Sequence, residues 1–551
     1  MTQNINFETR CLHSLVKVFA DEDLKAPAYV QGSALIGEYY SFQVAYRSTS
    51  LMKHIRMSVE SSLAEYITVR SVGLVPSELP IYEDHDDYVL RTKPGLYPDP
   101  LYDLEGDAVR TLPNQWRSVW ITVQVTEKAA AGVHPIRIRF TSEAGEMLGE
   151  EHFQLEVIAA SLPEQTLIHT EWFYLDCLAT EYKVEAFSEA HWDIIDAYLS
   201  HYVEHGMNMI LTPLFTPPLE MHVGEERPTI QLIGVVLEGE RYTFDFSRLD
   251  RWIALCQSKG IKYFEFSHLF TQWGAKHAPK IVADTGAGTE RIFGWDTNAT
   301  GEAYRHFLSQ FIPELLKLIR VHGLEHQAYF HVSDEPWIGD MPFYEGASTL
   351  LRSLIGDFPV IDALSDYQFY ESGLLTHPVV STEHIDTFIE HDANNLWAYY
   401  CCCEYKDGLS NRFFNMPSER TRIIGTQLYK YDIQGFLHWG YNHWYSQKSV
   451  IQPIDPFRVT DADHGFPSGD AFLVYPGKNG PISSIRMEVL REAMQDVRAL
   501  KLLEGLIGKQ ETMKYLEQDL QEPLTFRRYE KHSMWIINMR ERINRLIQDR
   551  I

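Results

Sequence analysis

The chain has 551 residues, 45% of them hydrophobic, enough to bury large cores and to form two or more domains. Its formal net charge of -27 argues against nucleic acid or an anionic membrane as partner, because both demand a basic surface. Aromatic residues make up 13%, including 12 Trp and 30 Tyr, and flat aromatic faces suit the apolar faces of sugar rings.

Met1 to Phe7 is polar and lacks the basic start and apolar centre of a leader. No run of about 18 apolar residues follows, so a cytoplasmic protein without a membrane partner is expected. Period-two alternation marks Phe42–Tyr46, Trp120–Val125, Ile136–Phe140 and Phe153–Val157 as half-buried strands. Short strands at this spacing predict an N-terminal β-sandwich over residues 1–163. Gly95–Tyr102, with two prolines, reads as a stiffened loop directed towards the next domain, and Ser161–Gln165 reads as the linker.

From Thr166 the pattern changes to strand, helix, strand. Expected strands are Ile168–Leu175, Met207–Leu211, Tyr263–Phe266, Ala328–Val332, Val360–Ala363, Val379–Thr382, Leu396–Cys401 and Gly435–Trp439. Helical periodicity separates most of them, at Ala190–His205, Phe246–Lys259, Tyr304–His322, Tyr344–Phe358 and Glu419–Tyr431. Such alternation predicts a (β/α)8 TIM barrel over residues 166–506, closed by an amphipathic helix at Ser484–Leu506. A C-terminal helical extension, residues 507–551, is expected as a pair at Gln510–Gln521 and Leu524–Ile547.

The central stretch is Ala328-Tyr-Phe-His-Val-Ser-Asp-Glu-Pro-Trp337, an apolar strand that stops on two acids and a proline. Asp334 and Glu335 are thus displayed where strand becomes loop, as a candidate catalytic pair. In such a barrel chemistry lies at the strand ends. Those ends offer Trp172, Glu265, His268, Trp273, Trp337, Asp362, Trp397, Tyr400, His438, Trp439, Tyr441 and Asn442 as candidate substrate-binding residues. Carboxylates, His and Asn suit hydroxyls, and the aromatics suit C–H faces, so a carbohydrate substrate is expected. Each member also has a packing role open to it: Glu265 and Asp362 as partners of nearby histidines, the tryptophans as core.

Glu265, His268, Asp334, Asp362 and His384 carry ligand types that suit a divalent ion in an isomerase-like barrel, but no compact ligand motif fixes that geometry. The sequence has no glycine-rich phosphate loop, nucleophile elbow or dinucleotide fingerprint, so no cofactor is expected. Cys401-Cys402-Cys403, if on a strand, would point to alternate faces, and these read as buried free thiols.

The chain resembles the catalytic domain of glycoside hydrolase family 123. The resemblance rests on Ser333-Asp-Glu-Pro336, Thr212-Pro-Leu-Phe-Thr-Pro-Pro218, Ser267-His-Leu-Phe-Thr-Gln-Trp-Gly274, Asn411-Arg-Phe413 and Gly435-Phe-Leu-His-Trp-Gly-Tyr-Asn442. It continues through Gly469-Asp470, Tyr475-Pro-Gly477 and Ser484-Ile-Arg486, and covers about Thr166 to Leu506. The resemblance implies a β-sandwich followed by a (β/α)8 barrel and a β-N-acetylgalactosaminidase-like activity. It further implies an adjacent Asp-Glu pair working with the substrate's own acetamido group, mapped onto Asp334 and Glu335. Glu335 would be general acid and base, and Asp334 would hold the acetamido N–H; Tyr400, Trp439 and Tyr441 would wall the acetamide. Two further readings stand beside it: a conventional retaining glycosidase with Glu265 as nucleophile, and a non-catalytic carbohydrate-binding protein.

Overall fold

The structure, a computed structural model, describes residues 6–449 and 453–551. The protein is multidomain, and its N-terminal region is β-rich, with two five-stranded sheets. One is centred on Glu38–Ser48 and Arg117–Val125, the other on Gly132–Thr141 and Met147–Ser161. The alternating segments of the sequence fall inside these four strands. Their inward residues, among them Phe42, Val44, Ile121, Ile138, Phe153 and Leu155, form one buried core.

Gly95–Asp103, expected as a loop, is a strand that pairs antiparallel with Ile67–Ser77. It lies at a sheet edge, the place where prolines lacking a donor are tolerated. Its reach towards the next region is real. Leu101 N–H donates to the Ser483 carbonyl, and the buried Asp99 carboxylate takes two bonds from the Arg486 guanidinium, each 2.9 Å.

Eight short parallel strands follow: β1 (Ile168–Glu171), β2 (Met209–Thr212), β3 (Tyr263–Phe266), β4 (Ala328–Phe330), β5 (Ile361–Leu364), β6 (His377–Ser381), β7 (Trp397–Tyr399) and β8 (Gly435–His438). β2, β3 and β4 form one sheet; β5, β6, β7, β8 and β1 form another, in that order. A parallel bridge between Phe330 and Val360 joins β4 to β5. On the other side Asn208 N–H donates to the His169 carbonyl at 3.1 Å, tying β2 to β1. At least one helix separates each consecutive pair of strands.

Most of these strands are shorter than the sequence predicts. β1 stops at Glu171 because a helix begins at Leu175, and β4 stops at Phe330, before the acidic motif. The periodic stretch Glu419–Tyr431 divides into Ser418–Arg422 and Ile424–Lys430. The expected C-terminal pair is Lys509–Leu516 and Ser533–Gln548; the charged run after Pro523 lies outside both helices.

Ile485–Ile507 is the helix that holds the regions together. Ser484 caps it, its side chain accepting from Met487 N–H. Ile485, Val489 and Leu500 enter one cluster with Leu35, Trp120 and Ile158 of the N-terminal sheets and with Ile536 and Ile543 of the last helix. No helix among the described residues is long and apolar enough to cross a membrane.

Asp99→Ala leaves the buried Arg486 charge without its partner. Loss of one member of a buried pair costs about 3–5 kcal/mol, so the urea midpoint should fall clearly at unchanged m-value. A midpoint equal to that of the parent protein would show that this pair does not hold the regions together.

Candidate active site

Beyond β4 the backbone does not stay extended. Glu335 adopts φ = 44°, a left-handed conformation that costs a non-glycine residue on the order of 1–3 kcal/mol. Two hydrogen bonds hold the kink: Glu335 N–H to the Ala363 carbonyl on β5 (3.0 Å) and Trp273 N–H to the Asp334 carbonyl (2.9 Å). In a regular strand the two adjacent side chains would face opposite ways. With the kink, Asp334 and Glu335 both line one pocket.

Trp172 and Trp439 form aromatic walls of this pocket, and Tyr399 at the end of β7 donates its hydroxyl to Glu335 Oε1 at 2.8 Å. Gln272 fixes Asp334. Its Nε2 donates to Asp334 Oδ2 (2.9 Å), while its Oε1 accepts from Glu220 N–H (2.8 Å), which sets the amide orientation. Glu220 adds a third carboxyl to the pocket lining, and its Oε2 has no protein partner.

Three carboxyls in one pocket repel one another, and burial disfavours the charged form of each. Burial, followed by the Glu335 charge, lifts Asp334 well above the ordinary aspartate range. Burial and the Glu335 charge also push Glu220 up to about 7. Glu335 is raised as well, by the protein packed around its carboxyl, with the Tyr399 hydroxyl pulling the other way. Its side chain nevertheless opens to solvent at the pocket mouth, which moderates that rise. The Glu335 charge is second only to burial in raising Asp334, so the protonation of one acid bears on the other.

Beneath the pocket lies a fully buried charge sandwich. His331 donates Nε2–H to Glu265 Oε1 (2.7 Å) and Nδ1–H to Asp362 Oδ1 (3.1 Å). Burial opposes the imidazolium, but the hydrogen bonds to Asp362 and Glu265 outweigh it and hold its pKa at about 9. Glu265 also accepts from Trp172 Nε1 (2.6 Å) and Thr170 Oγ1 (2.8 Å), so both of its oxygens are occupied. Asp362 further accepts from the Tyr344 hydroxyl and from Val332 N–H. Glu265 and Asp362 therefore support the pocket floor and do not line the pocket.

His268 stacks on His331 with centroids 4.1 Å apart, and neither of its ring nitrogens has a partner. Among the described residues His268, His331 and Asp362 place ligand-type atoms within 4.8 Å of one another. Both His331 nitrogens are committed to carboxylates, however, which removes it as a ligand in this arrangement. Asp334 sits above, in the pocket, and His384 borders an outer groove.

The remaining expected residues separate by strand parity. Trp397 is buried against Tyr329 and against the Cα of Gly435, where any Cβ would collide with its ring. Tyr400 and His438 face away from the pocket. His438 Nδ1 accepts from Arg412 Nη2 (2.7 Å), and Tyr400 packs edge-on to His438. Tyr441 stacks on Phe173, and the Asn442 amide pairs with both the N–H and the carbonyl of Tyr174. Both shape the backbone around β1 and do not line the pocket. Trp337, 64% exposed, borders the outer groove, and Trp273 is half-buried beside Gln272.

Tyr399 and Gln272, which the sequence places at the ends of the seventh and third strands, line the pocket although neither is in the expected substrate-binding set, and Glu220 joins them. Alternation from Trp397 gives Tyr399, and Gln272 lies within the Ser267–Gly274 motif; nothing in the sequence marks Glu220. Cys401 and Cys402 are half-buried on the pocket wall and Cys403 is exposed, not buried as expected, because β7 ends at Tyr399 and the chain turns.

Tyr399→Phe removes a donor that favours the Glu335 carboxylate, so the Glu335 pKa should rise. For a reaction that needs this carboxyl protonated, the alkaline limb of the kcat/KM profile should move to higher pH. A limb that stays in place, or moves down, would refute the coupling.

Comparison with known proteins places the chain. The family described as "Glycoside hydrolase 123, catalytic domain" matches residues 172–503. Among solved structures, a family 123 glycoside hydrolase from Clostridium perfringens, studied for glycolipid glycan hydrolysis, superposes with a TM-score of 0.78. It is 16% identical, with 98% of each chain covered, a likeness that speaks to the fold alone. An endo-β-1,4-mannanase from Thermotoga petrophila (TM-score 0.34, 13% identity, 61% of this chain and 77% of that one) is too distant to support an argument. The same holds for a putative β-galactosidase from Bacteroides fragilis (TM-score 0.29, 9% identity, 84% and 58%). No curated protein matches the sequence. With the matched family spanning more than half of its length, the chain belongs to glycoside hydrolase family 123.

Proposed function

We propose that the protein removes terminal β-linked N-acetylhexosamine, of the N-acetylgalactosamine type, by a retaining, substrate-assisted mechanism. The observation that carries this reading is the kink at Glu335, which turns two adjacent acids into one pocket. On this reading residues 1–163 are a β-sandwich, residues 166–506 a (β/α)8 barrel and residues 507–551 a helical extension.

The two acids take different roles. The acetamido oxygen attacks the anomeric carbon as the glycosidic C–O bond breaks, and Glu335 gives its proton to the leaving oxygen. Asp334 accepts the acetamido N–H and balances the positive charge of the oxazolinium that forms. Glu335 then takes a proton from water, which opens the ring at the anomeric carbon and restores the acetamide. Two inversions give net retention.

The electrostatics fit these roles. In the free protein burial weighs most on Asp334. A bound N–H donating to it, with the His331 imidazolium behind, favours the anion there and leaves the proton on Glu335. The conventional alternative needs Glu265 as a free nucleophile, yet three hydrogen bonds from Thr170, Trp172 and His331 occupy it below the pocket floor. Glu335 and Tyr399 also border an outer groove with Trp337 and Tyr367, a suitable place for the leaving sugar.

Glu335→Gln should lower turnover by about 10²–10⁴-fold with circular dichroism unchanged; near-normal activity in a folded variant sinks the assignment. Matched aryl glycosides bearing 2-acetamido or 2-hydroxyl should differ in the chemical step, because the hydroxyl sugar lacks the nucleophile. NMR of the first-formed anomer should show retention. Inversion, or equal rates on both sugars, would end the substrate-assisted mechanism.

A further inference from the structure

The mechanism leaves Cys401-Cys402-Cys403 unused. On an extended strand three consecutive thiols would diverge, but the chain turns after Tyr399, and the three sulfurs converge to within 4.8 Å of one another. The Cys402 and Cys403 Sγ atoms are 3.8 Å apart. Tetrahedral zinc–thiolate bonds of about 2.3 Å place neighbouring sulfurs about 3.8 Å from each other. The spacing of this pair is therefore that of a coordination edge.

The turn is held as a ligand-bearing turn would have to be. The Glu404 carboxylate accepts from Cys401 N–H (2.7 Å) and from the Ser381 hydroxyl. Asn411 donates to the Cys401 carbonyl (2.5 Å) and the Glu404 carbonyl (3.0 Å), and Tyr405 N–H donates to the Cys403 carbonyl (3.0 Å). Cys403 is open to solvent and gives an ion a way in, while Cys401 and Cys402 line the pocket that holds Glu335.

We propose that Cys401, Cys402 and Cys403 form a site for a thiophilic divalent cation of the zinc type on the wall of the substrate pocket, and that the bound ion closes that pocket to sugar. Each thiol releases one proton and binds as thiolate, giving a three-sulfur complex with one net negative charge. Its fourth position is left to water or to a group in the pocket. Cys401 and Cys402 line the same pocket as Glu335, so the ion and its fourth ligand take up room that a sugar beside Glu335 would need.

The test uses the full chain, reduced, with cadmium and zinc as probes. Wild type should bind one equivalent of cadmium, with the thiolate-to-cadmium charge-transfer absorbance in the ultraviolet. Turnover of an aryl N-acetylhexosaminide should fall on loading and return with a chelator. Cys403→Ser, which changes an exposed residue outside the pocket lining, should keep metal-free turnover and lose affinity by more than about 10-fold, since even an outer partner of a ligand costs that much. Cys403→Ala should behave alike. Absence of the absorbance at one equivalent, or equal affinity in the two variants and wild type, overturns the site. A loaded protein that turns over substrate normally overturns the closure. The absorbance needs no activity, so it distinguishes failure of the metal site from failure of the hydrolase reading.

Discussion

The site depends on one backbone angle. Neighbouring residues on a strand diverge, so two adjacent acids can share a pocket only if the chain between them leaves the strand. Glu335 does so at φ = 44°, and the cost is met by the bonds that trap it, from Trp273 N–H on one side and to the Ala363 carbonyl on the other. Pro336 follows at once and offers no N–H to a continuing ladder. Asp334 and Glu335 therefore owe their common pocket to β5 and to the loop after β3 as much as to their own strand.

Beneath the acids the protein maintains a positive charge where burial alone would remove it. His331 stays protonated because Glu265 and Asp362 each accept a hydrogen bond from one of its ring N–H groups, and those carboxylates are themselves held by Thr170, Trp172, Tyr344 and Val332. Of the three charges in this layer the His331 imidazolium acts most on Asp334, and it favours the anion there. This layer draws on β1, β3, β4 and β5 and aligns their ends. A pocket assembled from four separate strands keeps its geometry only while such a layer is satisfied.

Much of this was legible in the chain. Trp120–Val125 lies inside the strand Arg117–Val125, and Ser484–Leu506 matches the helix Ile485–Ile507 to within one residue, because periodicity over many residues is a strong signal. The three- to five-residue strands of the second region give periodicity little to work on, and their ends shifted. Side-chain parity caused the main change at the site. Tyr399 and Tyr400 are indistinguishable as letters, yet only Tyr399 reaches Glu335, while Tyr400 packs behind the strands on His438. Glu220, with φ = 51° on an irregular segment, enters the pocket by a loop path that no period describes.

The N-terminal region reaches the pocket through a continuous set of bonds. Asp99 on its edge strand holds the Arg486 guanidinium, whose Nη1 donates to the Gly469 and Phe472 carbonyls (2.6 and 2.7 Å). Between those carbonyls lies Asp470. Its Oδ2 accepts from Trp439 Nε1 (3.1 Å), and its backbone carbonyl accepts from Arg412 (3.0 Å). The aromatic wall of the pocket is thus anchored to a residue whose own loop is pinned by a strand of the other region. Burial pushes the Asp470 carboxyl up to about 7, and the Arg412 charge and the Trp439 bond pull against that rise. The β-rich region thereby bears on the position of Trp439 without touching the pocket, which gives a physical reason for the two regions to travel together in one chain.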